Sequence, residues 1–432
     1  MVSRNMVMVI AAIIIVVIAG GILYAYLYGP LSPQKVSAKD RIVIGFTVAL
    51  SGPLSAQGNE QLRAYQICAD YINSQGGIYV AELGRRLPIN LTYYDDSSDA
   101  SKARSLYEKL ITEDKVDFLW PPFGTGIGLG VIPVINKYGI PIILATQTIA
   151  TEERIRNVSP NIFLTFMTFE HVGAMYAAVI KKIISDHPEL RRIAIIYAET
   201  DSTVGWATWT KRVLEEQRIG EVVFTASYPL TATDVRGILT RMWEARPDIV
   251  LALTFGADSY VVIPQMRELR INPKVLIMTG PGASTRDFYT RFDNATKEGI
   301  ICWTNMYPDM DPVLKSFWDT YVSRFGYAPI PDMHGLVYKS CLILRAAIEK
   351  AGSLNYTKVK DVLVRESFTI PFGPFSNVRF VNQTIDPPFL VWVQYQDGVA
   401  KPIFITTGRY PNIKFVEAPW LVPYKYPKPE WR

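Results

Sequence analysis

The sequence predicts an α/β protein with two successive, doubly wound parallel-sheet units, and three observations support this. Short apolar segments typical of buried strands alternate with amphipathic helical segments along most of the chain. The alternation stops near residue 163 and restarts with a long helix over 170–185. The length of 432 residues exceeds what one ordinary core can hold, so two domains are expected.

The first strand–loop–helix unit, 42–78, shows the pattern most clearly. An apolar strand over 42–50 leads into a loop of small residues at 51–58 and an amphipathic helix over 59–73. The strand is apolar on both faces, which is typical of a parallel sheet covered by helices. The loop follows the carboxyl end of the strand, where open α/β sheets bind ligands. We therefore expect 51–58 to border a binding site.

The rest of the chain continues the alternation before it changes to a β-rich end. In the first unit we predict strands over 87–94, 116–120 and 140–144, with helices over 100–113 and 131–138. In the second unit we predict strands over 192–197, 221–228, 249–253 and 275–278, with helices over 206–218, 233–245 and 258–270. Helices over 311–325, 336–351 and 356–365 follow. Asp397-Gly398 between two alternating segments predicts a β-hairpin. The segment 408–432 has no period and is expected to be an irregular arm.

The N-terminus predicts membrane attachment. No charged residue occurs over 6–27, and this apolar segment is long enough to cross a bilayer as a helix, with Arg4 before it. A cleaved signal peptide is the alternative, although the end of the apolar segment, over 22–30, consists of bulky and aromatic residues and lacks a small-residue cleavage pattern. Both interpretations place the remainder outside the cytoplasm. Residues 31–40 then form a short tether. Five Asn-x-Ser/Thr sequons agree with this location: Asn90, Asn157, Asn294, Asn355 and Asn382.

Composition argues against several classes of function. The net charge of +5 is spread along the chain without a basic block, so nucleic-acid binding is not favoured. The three histidines are far apart in sequence, which argues against a metal site. No cofactor motif is present. Cys68 and Cys341 lie among apolar residues of predicted helices, where we expect buried small side chains.

No motif indicates catalysis, so we expect a binding protein and not an enzyme. The glycine-rich segment 121–130 lacks both the dinucleotide glycine spacing and the lysine of a phosphate-binding loop. A helix follows it, so its backbone could approach a carboxylate, or it could be only a flexible turn. The pair Asp95–Asp96 is expected in a solvated turn. Glu199 and Asp201 could anchor an ammonium group or cap a loop.

Aromatic residues gather at predicted strand ends. Trp120, Phe123, Trp206, Phe255, Trp303 and Tyr307 all lie at or just beyond such ends. One aromatic residue there is most often part of a core. Several from different strands indicate a cleft lined with rings, and both interpretations remain open for Trp206 and Phe255.

The order of these motifs resembles a known family. The resemblance is carried by the 51–58 loop (SGPLSAQG), the helix end at 73–78 (NSQGGI), Asp95–Asp96 after the second strand and the Gly-Pro-Gly loop at 280–282. Over about 41–408 the chain resembles the solute-binding proteins of branched-chain amino acid ABC importers. The resemblance implies a type I periplasmic-binding fold, in which two lobes close on a ligand about a hinge. It implies lobe limits of 41–163 with 303–371 and of 164–302 with 372–408.

The resemblance also implies which residues contact the ligand. The first lobe would contribute Gln57, Gly124, Thr125, Gly126, Gln147 and Thr148, and the second lobe Asp201, Val204, Trp206, Phe255, Gly280 and Gly282. Relatives that bind amino acids commonly have Tyr where this chain has Val204, and an acid in the loop matching 279–282. An unpaired buried ammonium group is costly, so a standard α-amino acid is disfavoured unless Glu199, Asp201 or Asp258 replaces that acid.

The expected function is therefore capture of a small polar ligand, such as an amino acid, an amide or a related compound. A receptor of this family delivers its ligand to the permease subunits of an ABC transporter at the cell membrane. A ligand-sensing receptor domain of the same fold is the alternative.

Overall fold

The computed structural model describes residues 39–149, 151–329 and 331–431. The predicted membrane span over 6–27 lies outside these residues. Among the helices of the described part, none combines the length and the apolar character needed to cross a bilayer.

Strands and helices alternate as the sequence pattern predicts. The strands are β1 (Ile42–Val48), β2 (Ile78–Val80), β3 (Arg85–Leu87), β4 (Ile89–Asp95), β5 (Phe118–Leu119), β6 (Ile142–Leu144), β7 (Ile162–Leu164), β8 (Arg192–Ala198), β9 (Glu221–Tyr228), β10 (Ile249–Leu253), β11 (Val275–Met278), β12 (Ile301–Thr304), β13 (Ser367–Thr369), β14 (Asn377–Val381), β15 (Thr384–Asp386), β16 (Phe389–Gln396), β17 (Val399–Thr407) and β18 (Lys414–Phe415).

The helices cover the faces of the sheets that these strands form. They are α1 (Ser55–Ser74), α2 (Ala100–Thr112), α3 (Thr125–Gly130), α4 (Ile132–Tyr138), α5 (Glu152–Val158), α6 (Phe169–Asp186), α7 (Asp201–Glu216), α8 (Arg236–Glu244), α9 (Ser259–Glu268), α10 (Gly280–Ala283), α11 (Arg286–Arg291), α12 (Asn294–Lys297), α13 (Pro312–Phe325), α14 (Pro331–Ala351) and α15 (Tyr356–Arg365).

The first lobe is built on two short sheets. Strand β1 lies between β4 and β5, and all three run parallel. Strands β6 and β7 pair in parallel, and β15 joins β7 at Leu164, with β14 and β13 beyond it. Helix α1 packs closely on the end of β1, because a Cβ atom at Gly58 would lie 2.0 Å from the carbonyl oxygen of Ala49. Only glycine permits that approach, which fixes the 51–58 loop at the sheet edge.

The second lobe is built on one sheet with the order β18-β17-β16-β12-β11-β10-β8-β9. Strands β8 to β12 run parallel, and β16 to β18 add to the edge of β12 in antiparallel pairs. The predicted hairpin is confirmed. Asp397 and Gly398 both have positive φ angles, 58° and 80°, as a tight two-residue turn between paired strands requires.

Cys68 and Cys341 are buried as predicted, but they are bonded to each other and are not two separate small side chains. Cys68 of α1 and Cys341 of α14 form a disulfide with a Cα–Cα distance of 6.6 Å, although they are 273 residues apart in sequence. Cys302 is a buried free thiol. Neither cysteine of the pair carries a local spacing signal, because the bond depends on two helices meeting in the folded first lobe.

The predicted solvated turn at Asp95–Asp96 is also wrong for Asp96, which is fully buried. Its carboxylate accepts a 2.9 Å hydrogen bond from Thr47 Oγ1. Asp95 accepts hydrogen bonds from the backbone nitrogens of Leu50 and Ser51 and from Ser51 Oγ. Although partial burial opposes ionisation, these bonds lower the pKa of Asp95 to about 2. The acid pair therefore fixes the start of the 51–58 loop.

Candidate functional site

The loops at the carboxyl ends of the strands in the two lobes meet face to face. Thr125 Oγ1 of α3 and Ser202 Oγ of α7 are 3.0 Å apart, so a hydrogen bond joins the lobes. Thr125 Oγ1 also accepts from the backbone nitrogen of Thr148, at 3.0 Å. On the opposite side, a Cβ atom at Gly256 would lie 2.5 Å from Gln57 Nε2. The two lobes are thus in direct contact around the cleft.

A cavity of about 40 Å³ lies between these loops, and aromatic rings dominate its wall. Phe123 comes from the first lobe, and Phe166, Trp206, Phe255 and Trp303 from the second lobe or the chain that joins the lobes. The ring centroids of Trp206 and Trp303 are 5.7 Å apart and nearly perpendicular, while Phe166 stacks on Trp303 at 5.5 Å. Phe123 and Phe255 face each other across the cleft at 6.5 Å. The site is an aromatic box with a few polar groups.

Asp332 is the acidic residue of this wall, and it lies in the first turn of α14. The residue is 3% exposed, and its Oδ1 accepts a 3.1 Å hydrogen bond from Ser284 Oγ. Burial raises the pKa of Asp332 to about 6, because the apolar surroundings disfavour the charged form.

Several buried polar atoms near the cleft have no hydrogen-bond partner within the described protein. Gln57 Oε1 and Trp206 Nε1 belong to residues of the cavity wall, and Gln147 Oε1 and Thr148 Oγ1 lie behind the contact between the lobes. Orphaned buried donors and acceptors are uncommon in folded proteins, and they concentrate where a ligand or water supplies the missing partner. The four atoms at this cleft make it the candidate binding site.

The structure places three of the predicted contact residues in the cavity wall: Gln57, Trp206 and Phe255. Thr125 and Thr148 lie beside the cavity in the hydrogen-bonded contact between the lobes. Gln147 fixes the neighbouring loop, because its Nε2 donates to the carbonyl oxygens of Pro122 and Gly124 at 2.7 and 3.1 Å.

The remaining predicted residues lie farther from the cavity wall. A Cβ atom at Gly126 would be 3.2 Å from Asp201 Oδ2, so these two residues face each other at the rim. Gly280 and Gly282 pack on Trp303 and Thr254, and the cavity contact in their loop is Pro281. Val204 is 40% exposed, because it points outward from α7.

The acids considered as replacements for the missing loop acid do not line the cavity. Asp258 is buried and accepts 2.9 Å hydrogen bonds from Tyr228 Oη and from the backbone nitrogen of Phe255. Its role is therefore to position Phe255. Glu199 accepts from Ser227 Oγ at an exposed site.

Sequence reasoning missed Asp332, Phe166 and Thr285 of the wall. The expected start of the helix was 336, whereas α14 begins at Pro331 and its first turn carries Asp332. Proline at the first position of a helix was the available signal, since its fixed φ angle suits that position.

The matching family model, described as periplasmic binding protein, spans residues 41–398. The chain belongs to the periplasmic binding protein family. Family members are similar to it at low identity. A Leu/Ile/Val-binding protein, BraC3, of Rhizobium johnstonii is 24% identical over 76% of this chain and 85% of its own length. A Leu/Ile/Val-binding protein homolog of Brucella abortus is 22% identical over 77% of this chain and 83% of its own.

Solved structures of this family share the fold. The branched-chain amino acid transporter substrate-binding protein LivJ of Streptococcus pneumoniae, in complex with isoleucine, has a TM-score of 0.71 at 19% identity and covers 87% of this chain and 99% of its own. An ABC transporter solute-binding protein of Rhodopseudomonas palustris, in complex with 3,4-dihydroxybenzoic acid, has a TM-score of 0.70 at 18% identity and covers 84% of this chain and 95% of its own. This periplasmic binding protein therefore has the type I fold that the sequence resemblance implied.

Proposed function

We propose that this periplasmic binding protein captures a small solute between its lobes and delivers it to the permease of an ABC importer. The observation that carries the proposal is the cavity between the lobes, whose wall combines aromatic rings with partnerless polar atoms such as Gln57 Oε1 and Trp206 Nε1. Such a wall is suited to holding one small molecule with defined orientation. Family membership supports the same function.

Capture would follow a hinged closure of the two lobes. Residues 41–163 with 303–371 would form most of the first lobe, and 164–302 with the later strands most of the second, with the arm beyond 408. Because β15 pairs with β7, with β14 and β13 beyond it, and β16 pairs with β12, we place the last crossing of the chain between Asp386 and Phe389. The hydrogen bond between Thr125 and Ser202 would form on closure.

The protein would act outside the cytoplasm. The Cys68–Cys341 disulfide supports this location, since such bonds persist in oxidising compartments. We propose that the apolar segment 6–27 anchors the protein at the cell membrane, where captured solute meets the permease. We expect binding without turnover, because members of this family serve as solute carriers for transporters.

A ligand screen tests the function. The full chain, in mild detergent, is heated with amino acids, amides, aromatic acids and amines at millimolar concentration. A true ligand at 100 times its Kd adds about 2.7 kcal/mol to the free energy of unfolding, which raises Tm by a few degrees.

Matched tryptophan variants identify the site. Trp206→Ala removes a ring of the box, and we expect it to lower the affinity at least tenfold. Trp243→Ala removes a partly buried ring of α8, outside the cavity wall, and should leave affinity within twofold. The proposal fails if no solute raises Tm, or if both variants bind the ligand as the unmodified protein does.

A further inference from the structure

We propose that the solute carries a cationic nitrogen, held by Asp332 and the faces of the aromatic box. This inference rests on the proposed function and narrows it to one class of ligand, small organic amines and ammonium compounds. Two independent features point to this class: a buried acid without a basic partner and the concentration of rings around it.

The first feature is the absence of a basic partner beside the Asp332 carboxylate. It is buried in the cavity wall, and its described donors are neutral: Ser284 Oγ and the backbone nitrogens of Met333 and of Asp332 itself. Within the part of the chain that the structure describes, no lysine, arginine or histidine forms an ion pair with it, and none lines the cavity. These neutral donors offset part of the cost of burying the carboxylate, but burial still raises its pKa to about 6. A bound cation would supply the positive charge that these donors lack.

The second feature is the set of ring faces. Phe166, Trp206 and Trp303 form one contiguous wall, with centroid distances of 5.5–6.4 Å, and Phe123 and Phe255 form another. A cation within about 6 Å of a ring centroid is attracted by the negative face of the ring, most strongly by tryptophan. An aromatic box with one acid is therefore complementary to an alkylammonium group, and its apolar surface suits the attached carbons.

The same features disfavour an anion. A carboxylate ligand would meet the charge of Asp332 in a site whose described wall contains no basic side chain. Like charges in a buried site repel strongly. A neutral amide would avoid repulsion but would bring no positive charge to the Asp332 carboxylate, whose described donors are neutral. An amino acid remains compatible, because its ammonium group provides the same cation.

The pH dependence of binding follows from the groups that surround Asp332. Cys302 of β12 and Tyr289 of α11 face it, and burial holds the pKa of both far above the neutral range. His334 on the same helix is directed to Glu60, with 3.6 Å between His334 Nε2 and Glu60 Oε2. Asp332 therefore titrates at about pH 6, as does Asp258, which accepts a hydrogen bond from the backbone of the wall residue Phe255. Cation binding requires the ionised form, so affinity is constant above this pH and falls up to tenfold per unit below it.

Two matched series of probes test the charge directly. Benzylamine, benzamide and benzoate share a ring, and 3-methylbutylamine, 3-methylbutanamide and 3-methylbutanoate share a branched chain. Calorimetry with the full chain at pH 7.5 measures each Kd, and leucine is added as the zwitterion. We expect at least one amine to bind ten or more times tighter than its amide and its acid. Leucine binding tighter than 3-methylbutylamine would identify an amino acid as the source of the cation.

Variants assign the effect to Asp332. We expect Asp332→Asn to weaken the amine at least 100-fold while leaving the matched amide within threefold. Asp319→Asn, which removes the same charge from an exposed site on α13, should change neither Kd. If Asp332→Asn does not fold, the loss of amine affinity below pH 6 in Asp258→Asn, which retains Asp332 as the titrating acid, provides the same test.

The outcomes separate this inference from the function that it rests on. If an amide or an acid binds tightest, or if amine affinity is unaffected by Asp332→Asn and by pH, the cation assignment is overturned and solute capture stands. If no probe and no member of the wider screen binds, the proposed function itself fails. If a compound outside the two probe series binds tightly, it supports the assignment when it is a cation and when Asp332→Asn weakens its binding.

Discussion

The two lobes share one architecture but are held together in different ways. The first lobe combines distant parts of the chain, and a disulfide between Cys68 of α1 and Cys341 of α14 joins them. The second lobe has no disulfide among its described residues, and the C-terminal arm 408–431 packs along it instead. Both lobes combine separate segments of the chain, and the comparison shows two ways to hold such segments together: a covalent link in the first lobe and an added C-terminal segment at the sheet edge in the second.

The arm is bound by a series of backbone and ring contacts. Gln394 Nε2 and Gln396 Nε2 of β16 donate to the carbonyl oxygens of Lys425 and Pro423, at 2.8 and 2.9 Å. Tyr426 stacks on His187 with a centroid distance of 3.7 Å. These contacts close the side of the second lobe that β16 and β17 would otherwise expose.

Removal of the arm should have the largest effect on stability. A chain that ends at Gly408 loses the partly buried rings of Trp420, Tyr424, Tyr426 and Trp431. At about 1.5 kcal/mol or more for each ring, we expect the free energy of unfolding to fall by roughly 6 kcal/mol or more. Urea unfolding measures the loss. Tyr426→Ala is the milder variant, with an expected loss of about 1–2 kcal/mol, and equal stability of all three proteins would contradict the role of the arm.

Loss of the disulfide should have the next largest effect, concentrated in the first lobe. Cys68→Ser removes a link that closes a loop of 273 residues, and we expect a loss of about 2–5 kcal/mol. Amide hydrogen exchange should accelerate in α1 and α14 more than in β8 to β11. Reductant should destabilise the unmodified protein but not Cys68→Ser. A uniform acceleration across both lobes would show that the link is not local in its effect.

The smallest of the three effects is an increase in stability when Lys339, a buried residue of α14, is replaced. Its Nζ lies 4.5 and 5.1 Å from the ring centroids of Phe389 and Phe372, and burial lowers its pKa to about 7. We expect Lys339→Met to stabilise the protein by about 1–4 kcal/mol at pH 7 or below, because an uncompensated charge leaves the interior.

The pH dependence of the Lys339→Met effect has a definite sign. The unfolded lysine binds its proton up to about pH 10.5, whereas the folded lysine releases it near pH 7. The stability of the unmodified protein therefore rises between these values, and the advantage of Lys339→Met shrinks as pH increases. Thermal unfolding from pH 6 to 10 measures this difference. A constant difference would mean that Lys339 stays charged in the folded protein.

The sequence was sufficient for the features that depend on local pattern. The unit 42–78, the restart near 163 and the hairpin at Asp397-Gly398 follow from hydrophobic period and turn chemistry. For Trp206 and Phe255, the strand-end pattern left core and cleft open, and the family resemblance implied the cleft position in which the structure places them.

Features that depend on tertiary contact could not be predicted in the same way. Asp332 lies in a helix turn without an apolar period, and its position in the cavity depends on where α14 meets α10 and β12. The disulfide requires the meeting of two helices from distant parts of the chain. Asp96 is buried because Thr47 and the start of the 51–58 loop cover it, which no property of the Asp-Asp pair indicates.

The disulfide also determines how the protein would respond to mechanical force. If the chain is pulled from its two ends, tension passes from residue 68 to residue 341 through the sulfur–sulfur bond. The strands β8 to β12, which lie between those residues, are then outside the covalent path of the force and are loaded only through noncovalent contacts such as the pairing of β12 with β16. Reduction would release 273 residues, about 900 Å of extended chain. In the oxidised molecule the disulfide therefore limits how far the chain can extend, because the 273 residues that it encloses cannot be pulled out.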